Sequence, residues 1–165
     1  MDDIDVYFSD PLVAKNFMAA IRFLKEQVAA APDAELSRDD AVTFLNWNIP
    51  QVEVPGMIHK QDMEITTGNE CSLKFTRTEE EDDGESDAYA YEFMAQDIDS
   101  EKSTLEVNRN LIEIHLVTTG NRKLIKPYEN GEVEDFDDEF TIYSDDVLLA
   151  RKILAAFGVL AAECR

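Results

Sequence analysis

Alternation of apolar and polar residues is the feature that most constrains this chain, and it covers residues 71–144. In "SLKFTRT" the apolar residues Leu73 and Phe75 alternate with polar ones, and "AYAYEFM" sets Tyr89, Tyr91 and Phe93 on one face. The stretches "TLEV", "LIEIHLVTT", "KLIKPYE" and "EFTIYS" continue the pattern. A period of two is typical of strands with one buried face. The segment therefore predicts about six to seven short strands.

The joints between these strands carry residues that favour turns. "NRN" at 108–110 and "TGNRK" at 119–123 contain Asn or Gly, which tolerate positive φ. "ENGE" at 129–132 holds the Asn-Gly pair that favours a hairpin. "EEEDDGESD" at 79–87 is a longer acidic loop. Because most links are short, we expect an antiparallel meander.

Amphipathic helices flank the predicted strands. Asp10 and Pro11 suit the start of a first helix, and Pro32 ends it. A second, shorter helix is expected to begin at Ser37 and to stop at Pro50. The last helix follows Ser144, and its apolar stripe covers the sheet; the stripe consists of Leu149, Ile153, Leu154, Phe157 and Leu160.

This order of elements predicts an α+β fold, an antiparallel sheet closed by a C-terminal amphipathic helix. We divide the chain into a helical segment at 1–50, a connector at 51–70 for which a short strand is an alternative, and a sheet with its closing helix at 71–165. The order of the last segment resembles that of pleckstrin-homology-like domains. The resemblance concerns topology alone. The one basic cluster, Arg122, Lys123 and Lys126, is outnumbered by acids on both sides and so does not predict the basic lipid-binding loop of that superfold.

The two ends of the chain contain similar stretches. "AKNFMAAIRFL" at 14–24 and "ARKILAAFGVL" at 150–160 each follow a Ser-Asp lead-in. One interpretation is chance, because capped amphipathic helices share their composition. The other is a repeat, in which the first helix is either the tail of a preceding copy in a tandem array or a pseudo-equivalent partner of the last helix. Recurring units are typical of scaffold modules.

Charge narrows the classes of partner. The 165 residues include 36 acids and 15 bases, which gives a formal net charge of −21. Such a field repels phosphate backbones and anionic lipids, so neither a nucleic acid nor a membrane is an expected partner. A protein with a basic surface would be attracted. The oligomeric state does not follow from the sequence.

The two cysteines, Cys71 and Cys164, match no metal-binding spacing. We interpret them as separate thiols of a reducing compartment, with Cys164 acting as a small buried hydrophobe on the last helix. The start "MDDIDVYFSD" lacks the pattern of a leader, and no apolar run has the length of a membrane helix. These features predict a cytoplasmic protein.

Catalytic patterns are missing from the sequence. It contains no G-x-S-x-G, H-E-x-x-H, C-x-x-C or phosphate-binding glycine pattern. His59 falls in the predicted connector with no evident partner, and His115 is expected on the solvent face of its strand, opposite Ile114. We therefore predict no catalytic residue, no cofactor and no metal site.

Two acidic loops remain as candidates for partner binding. Clustered carboxylates attract hard cations, but neither loop has the spacing of a calcium-binding loop, so solvated loops are the favoured interpretation. We predict a noncatalytic protein-interaction or scaffold module. The alternative is a small acidic inhibitor, an immunity protein or nucleic-acid mimic that binds a basic nuclease or nucleic-acid-binding protein. The residues predicted to contact the partner are Glu79, Glu80, Glu81, Asp82, Asp83, Asp135, Asp137 and Asp138.

Overall fold

A computed structural model describes residues 36–66, 68–108 and 111–165. The predicted first helix and the stretch "AKNFMAAIRFL" lie outside these residues, so the proposed repeat stays a prediction. Within them the fold is α+β, with antiparallel sheets and a C-terminal helix, as the sequence predicted.

The first described helix, α1, spans Arg38–Asn48. Ser37 caps it as predicted, because its hydroxyl accepts the backbone N–H of Asp40 at 3.2 Å. Pro50 follows the helix and prevents its continuation. Its buried face, Ala41, Phe44 and Leu45, belongs to the main core.

Nine strands follow in the described part of the chain, and a 3₁₀ turn at Ala95–Asp97 separates the first four from the rest. Their bounds are β1 Val52–Val54, β2 Met57–Ile65, β3 Ser72–Glu81, β4 Ser86–Met94, β5 Thr104–Asn108, β6 Leu111–Val117, β7 Lys126–Glu129, β8 Glu132–Val133 and β9 Glu139–Ser144. Residues 51–70, which we predicted to be a connector, thus contain a hairpin in their described part. The alternation there was hidden because "MIHKQDMEI" mixes long polar residues into both faces.

The strands form two antiparallel sheets rather than one meander. The larger sheet has the order β1-β2-β3-β4-β7-β8, and the smaller one has the order β5-β6-β9. The chain therefore leaves the larger sheet after β4, builds a hairpin of the smaller sheet, returns beside β4 and crosses again to β9. Backbone bridges between Ile98 and Thr118 and between Ile125 and Asp137 lie at these crossings.

The last helix, α2, spans Val147–Glu163 and covers the core between the sheets. Asp146 is its N-cap and accepts the N–H groups of Leu148 and Leu149, so the helix begins at Val147. Ile153, Phe157 and Leu160 of the predicted stripe are fully buried. Phe157 lies against Phe93 of β4, with ring centroids 6.2 Å apart.

A disulfide joins Cys71, directly before β3, to Cys164, directly after α2, with the Cα atoms 5.7 Å apart. The interpretation of the cysteines as separate thiols is therefore wrong. The sequence separation of 93 residues made the pairing impossible to infer from spacing. The bond fastens the closing helix to the larger sheet.

Among the described residues, no helix combines the length and the apolar character that crossing a membrane requires.

Candidate functional site

Three hairpin turns lie at one end of the larger sheet. The β3–β4 turn contacts the β1–β2 turn, because the N–H of Asp82 donates to the carbonyl of Gly56 at 3.3 Å. On its other side, Asn130 of the β7–β8 turn donates its N–H to the carbonyl of Ala88 at 2.7 Å. Asn130 and Gly131 have φ of 49° and 87°, so "ENGE" makes the predicted hairpin turn.

Exposed carboxylates crowd this end of the sheet. A shallow depression of about 530 Å³ opens there, lined by Glu53, Pro55, Gly56 and Asp82 among others. We use the name acidic hairpin end for the eight exposed acids on these three hairpins: Glu53, Glu81, Asp82, Asp83, Glu85, Asp87, Glu129 and Glu132.

The structure divides the first predicted acidic loop. Glu81, Asp82 and Asp83 are exposed at the turn and belong to the acidic hairpin end. Glu80 is half-buried and forms an ion pair with Lys60 of β2. Glu79 is also half-buried and faces inward, where it pairs with Arg77. Two of these five acids are thus engaged within the fold.

The second predicted acidic loop, which contains Asp135, Asp137 and Asp138, is not a single surface. Asp135 is exposed, but Asp137 and Asp138 are half-buried. Asp137 pairs its backbone with Ile125, and its carboxylate accepts the N–H of Asp138 at 2.8 Å. The carbonyl of Asp138 accepts the N–H of Thr118 at 2.8 Å. These two aspartates therefore stabilise the crossing between the sheets and lie away from the hairpin turns.

Side chains of the larger sheet close the free edge of β9. Gln61 donates its amide to the carbonyl of Tyr143 at 2.9 Å and accepts the N–H of the same residue at 2.8 Å. Arg77 donates to the carbonyl of Thr141 at 3.3 Å. Because the two side chains pair with backbone groups that a neighbouring strand would otherwise use, they form a polar seam between the sheets.

Arg77 is the centre of this seam and only 9% of it is exposed. Its Nε lies 3.0 Å from the Glu79 carboxylate. The guanidinium also lies over the rings of Tyr89 and Tyr143, at 4.9 and 5.0 Å from their centroids. Sequence reasoning missed Arg77, although its position on the same face of β3 as Leu73 and Phe75 marked a charge in the buried row.

His59 lies in the same seam and is 5% exposed. Its ring packs against Tyr143 with centroids 4.5 Å apart, and its Nδ1 lies 3.4 Å from the Glu79 carboxylate. Burial lowers the pKa of the imidazole below 6.5 and Arg77 lowers it further, whereas Glu79 opposes the shift. The expectation of a histidine without partners is therefore wrong.

The lowered pKa of His59 predicts a loss of stability in mild acid. As the pH falls below about 6.5, the unfolded chain takes up this proton before the folded chain does. The contribution of neutral His59 is complete above that pH and decreases toward the folded-state pKa, by at most about 1.4 kcal/mol per pH unit. His59→Asn, whose side chain does not titrate in this range, should lose less stability between about pH 7.5 and 5.5 than the wild type. Urea denaturation at each pH measures this, and equal pH slopes would refute the role of His59.

Tyr91 and Tyr143 are half-buried, and burial is the main cause that raises the pKa of each phenol. Both therefore stay neutral at physiological pH. Tyr91 lies beside Phe140 of β9, with ring centroids 5.3 Å apart, and Phe93 in the next row is buried. The face of β4 that carries Tyr89, Tyr91 and Phe93 thus lies against the core at Phe93 and against the polar seam at Tyr89.

No protein-family model, curated protein or solved structure matches this chain. The likeness to the order of pleckstrin-homology-like domains therefore stays a prediction.

Proposed function

We propose that this chain is a noncatalytic protein-interaction module and that its acidic hairpin end contacts a partner with a basic surface. One observation carries the proposal: three adjacent hairpin turns present eight exposed carboxylates at one end of a sheet. Lys60 and Arg77, the cations on β2 and β3 near these turns, already pair with Glu80 and Glu79. The outward field at this end is therefore negative.

Backbone pairing supports the surface mechanically. β2 and β3 pair over nine residues each, up to Met57 and Glu81 beside the turns. Asn130 further accepts the N–H of Ala88 at 2.9 Å and donates to the Asp87 carboxylate at 3.1 Å. A framework of this kind holds the carboxylates in place before binding, which lowers the entropy that association costs.

The electrostatic contribution is expected in partner choice and association rate. Complementary charge speeds encounter and disfavours acidic competitors, and salt weakens both effects. A partner that proves to be a nuclease or a nucleic-acid-binding protein would make the module an acidic inhibitor. If the partner is any other basic protein, the module is a scaffold. The sequence repeat would then mark it as one unit of a tandem array.

The disulfide bears on the compartment. The prediction of a cytoplasmic location rested in part on free thiols, and Cys71 and Cys164 are bonded. Structural disulfides persist in oxidising surroundings. An oxidising compartment is therefore the location that we propose.

Neutralising the acids of the β3–β4 turn should weaken binding of the partner. We expect the variant Glu81→Gln/Asp82→Asn/Asp83→Asn/Glu85→Gln to bind co-purifying basic proteins about tenfold more weakly, because it loses four exposed charges at the contact. Asn at position 83 keeps an acceptor for the N–H of Glu85. Each recovered protein is purified and its affinity for wild type and variant is measured at two salt concentrations.

The matched control removes four charges elsewhere, as Glu64→Gln/Glu101→Gln/Asp145→Asn/Glu163→Gln, all at exposed positions. This control should bind within about twofold of the wild type. If both variants weaken equally, net charge rather than the acidic hairpin end attracts the partner. If neither weakens, the proposed surface is wrong.

A further inference from the structure

Three metal-ligand side chains converge on the outer face of the smaller sheet, and none of them belongs to the acidic hairpin end. Glu106 of β5 lies directly opposite Glu113 of β6, and His115 follows two residues along β6 on the same face. The Nε2 atom of His115 lies 3.3 Å from a Glu113 oxygen and 3.7 Å from a Glu106 oxygen. One donor atom from each residue lies within 4.8 Å of the others.

Neighbouring polar groups lie within hydrogen-bond distance of two of these ligands, His115 and Glu113. The Nδ1 atom of His115 lies 3.3 Å from the Thr141 hydroxyl on β9. Asn108 donates its amide to the other Glu113 oxygen at 3.1 Å. Ligating histidines and carboxylates in metal sites commonly have such outer partners, which fix the ring and the carboxylate in place.

The Nε2 atom of His115 is buried and has no hydrogen-bond partner among the described residues, although the side chain as a whole is 25% exposed. Opposed glutamates on neighbouring strands also repel each other. A divalent cation between the three groups would bind the orphaned nitrogen and offset that repulsion. Ligands about 2.1 Å from a tetrahedral ion lie roughly 3.4 Å apart, which is close to the 3.3 and 3.7 Å that separate Nε2 from the two glutamate oxygens.

We propose that Glu106, Glu113 and His115 bind one divalent first-row transition ion, with Zn²⁺ as the reference ion. One imidazole and two carboxylates suit such an ion, and three protein ligands leave a position for water. Ca²⁺ prefers six to eight oxygen ligands and does not fit a set of this size. The site is independent of the proposed partner surface.

Binding would tie an edge strand to its neighbour. β5 is the outer strand of the smaller sheet and contributes Glu106, whereas β6 contributes the other two ligands. A bound ion therefore adds a link across the β5–β6 pair beyond its backbone hydrogen bonds. Amide hydrogen exchange in Thr104–Asn108 should slow when the ion binds.

Calorimetric titration of the chelator-treated full chain with ZnCl₂ tests the proposal. We expect one ion per chain in excess Mg²⁺, and an affinity about 100-fold weaker in His115→Ala and about tenfold or more weaker in Glu106→Gln. Thr141→Val, which removes only the support of Nδ1, should weaken binding about tenfold. Co²⁺ supplies a second measurement, since its visible spectrum reports coordination by the protein.

Glu101→Gln is the control, because it removes an exposed carboxylate outside the cluster and should change the affinity less than twofold. Circular dichroism confirms that each variant folds, and Glu113→Gln serves if His115→Ala does not. If His115→Ala and Glu101→Gln bind Zn²⁺ as the wild type does, the ion is held by diffuse acidic charge and the proposal fails. Displacement of Zn²⁺ by millimolar Mg²⁺, or unchanged exchange in β5, would also overturn it.

Discussion

Replacing Cys71 and Cys164 with serine should lower the free energy of unfolding by about 4–5 kcal/mol. The disulfide closes a loop whose ends are 93 residues apart, and a cross-link of that span removes much of the conformational entropy of the unfolded chain. It also fastens α2, which supplies the buried Ile153, Phe157 and Leu160, to the start of β3. Loss of the bond should therefore release the closing helix first.

Denaturant unfolding of the oxidised wild type and of the double serine variant measures this difference. Reductant should shift the wild type to the stability of the variant and leave the variant unchanged. A variant as stable as the oxidised wild type would show that core packing alone holds the helix. Hydrogen exchange resolved along the chain should show the largest loss of protection in α2.

Removing the guanidinium of Arg77 should have the next largest effect. Arg77→Ala deletes the cation that faces Glu79 and leaves the Thr141 carbonyl without its donor. Breaking a buried ion pair by removing one partner costs about 3–5 kcal/mol, because the remaining charge stays desolvated. The stacking on Tyr89 and Tyr143 is lost as well.

An exposed ion pair on the same two strands supplies the matched control. Lys60 and Glu80 have side chains that are 48% and 39% exposed, so Lys60→Ala should cost less than about 1 kcal/mol. Adding Glu79→Gln to Arg77→Ala should recover part of the lost stability, because the unpaired carboxylate is gone. Equal losses for Arg77→Ala and Lys60→Ala in urea denaturation would contradict a buried seam.

Local patterns predicted the elements that depend on neighbouring residues. The alternation around Leu73 and Phe75 identified β3, the Asn-Gly pair identified the β7–β8 turn, and Ser37 identified the start of α1. Each of these features is decided within a few residues by periodicity, turn conformation or capping. β2 was missed because Lys60 and Asp62 face outward while His59 and Gln61 place polar groups on the inner face.

Features that depend on long-range pairing were not predictable. The return of β7 beside β4 follows from register across some 36 residues, as the hydrogen bond between Tyr128 and Glu92 shows. The proposed metal cluster is an intermediate case. Alternation alone places Glu113 and His115 on one face of β6, but only the pairing of the strands brings Glu106 to them.

The paired hydrogen bonds between Gln61 and Tyr143 also affect how readily the protein aggregates at high protein concentration. An exposed strand edge can form backbone hydrogen bonds with a strand of another chain and so extend the sheet, which is how ordered fibrils grow. Here the side-chain amide of Gln61 forms the two hydrogen bonds with Tyr143 that a peptide unit of another chain would otherwise form. The contact that joins the larger sheet to β9 thus also makes this edge of β9 a poor site for pairing with a strand of another chain.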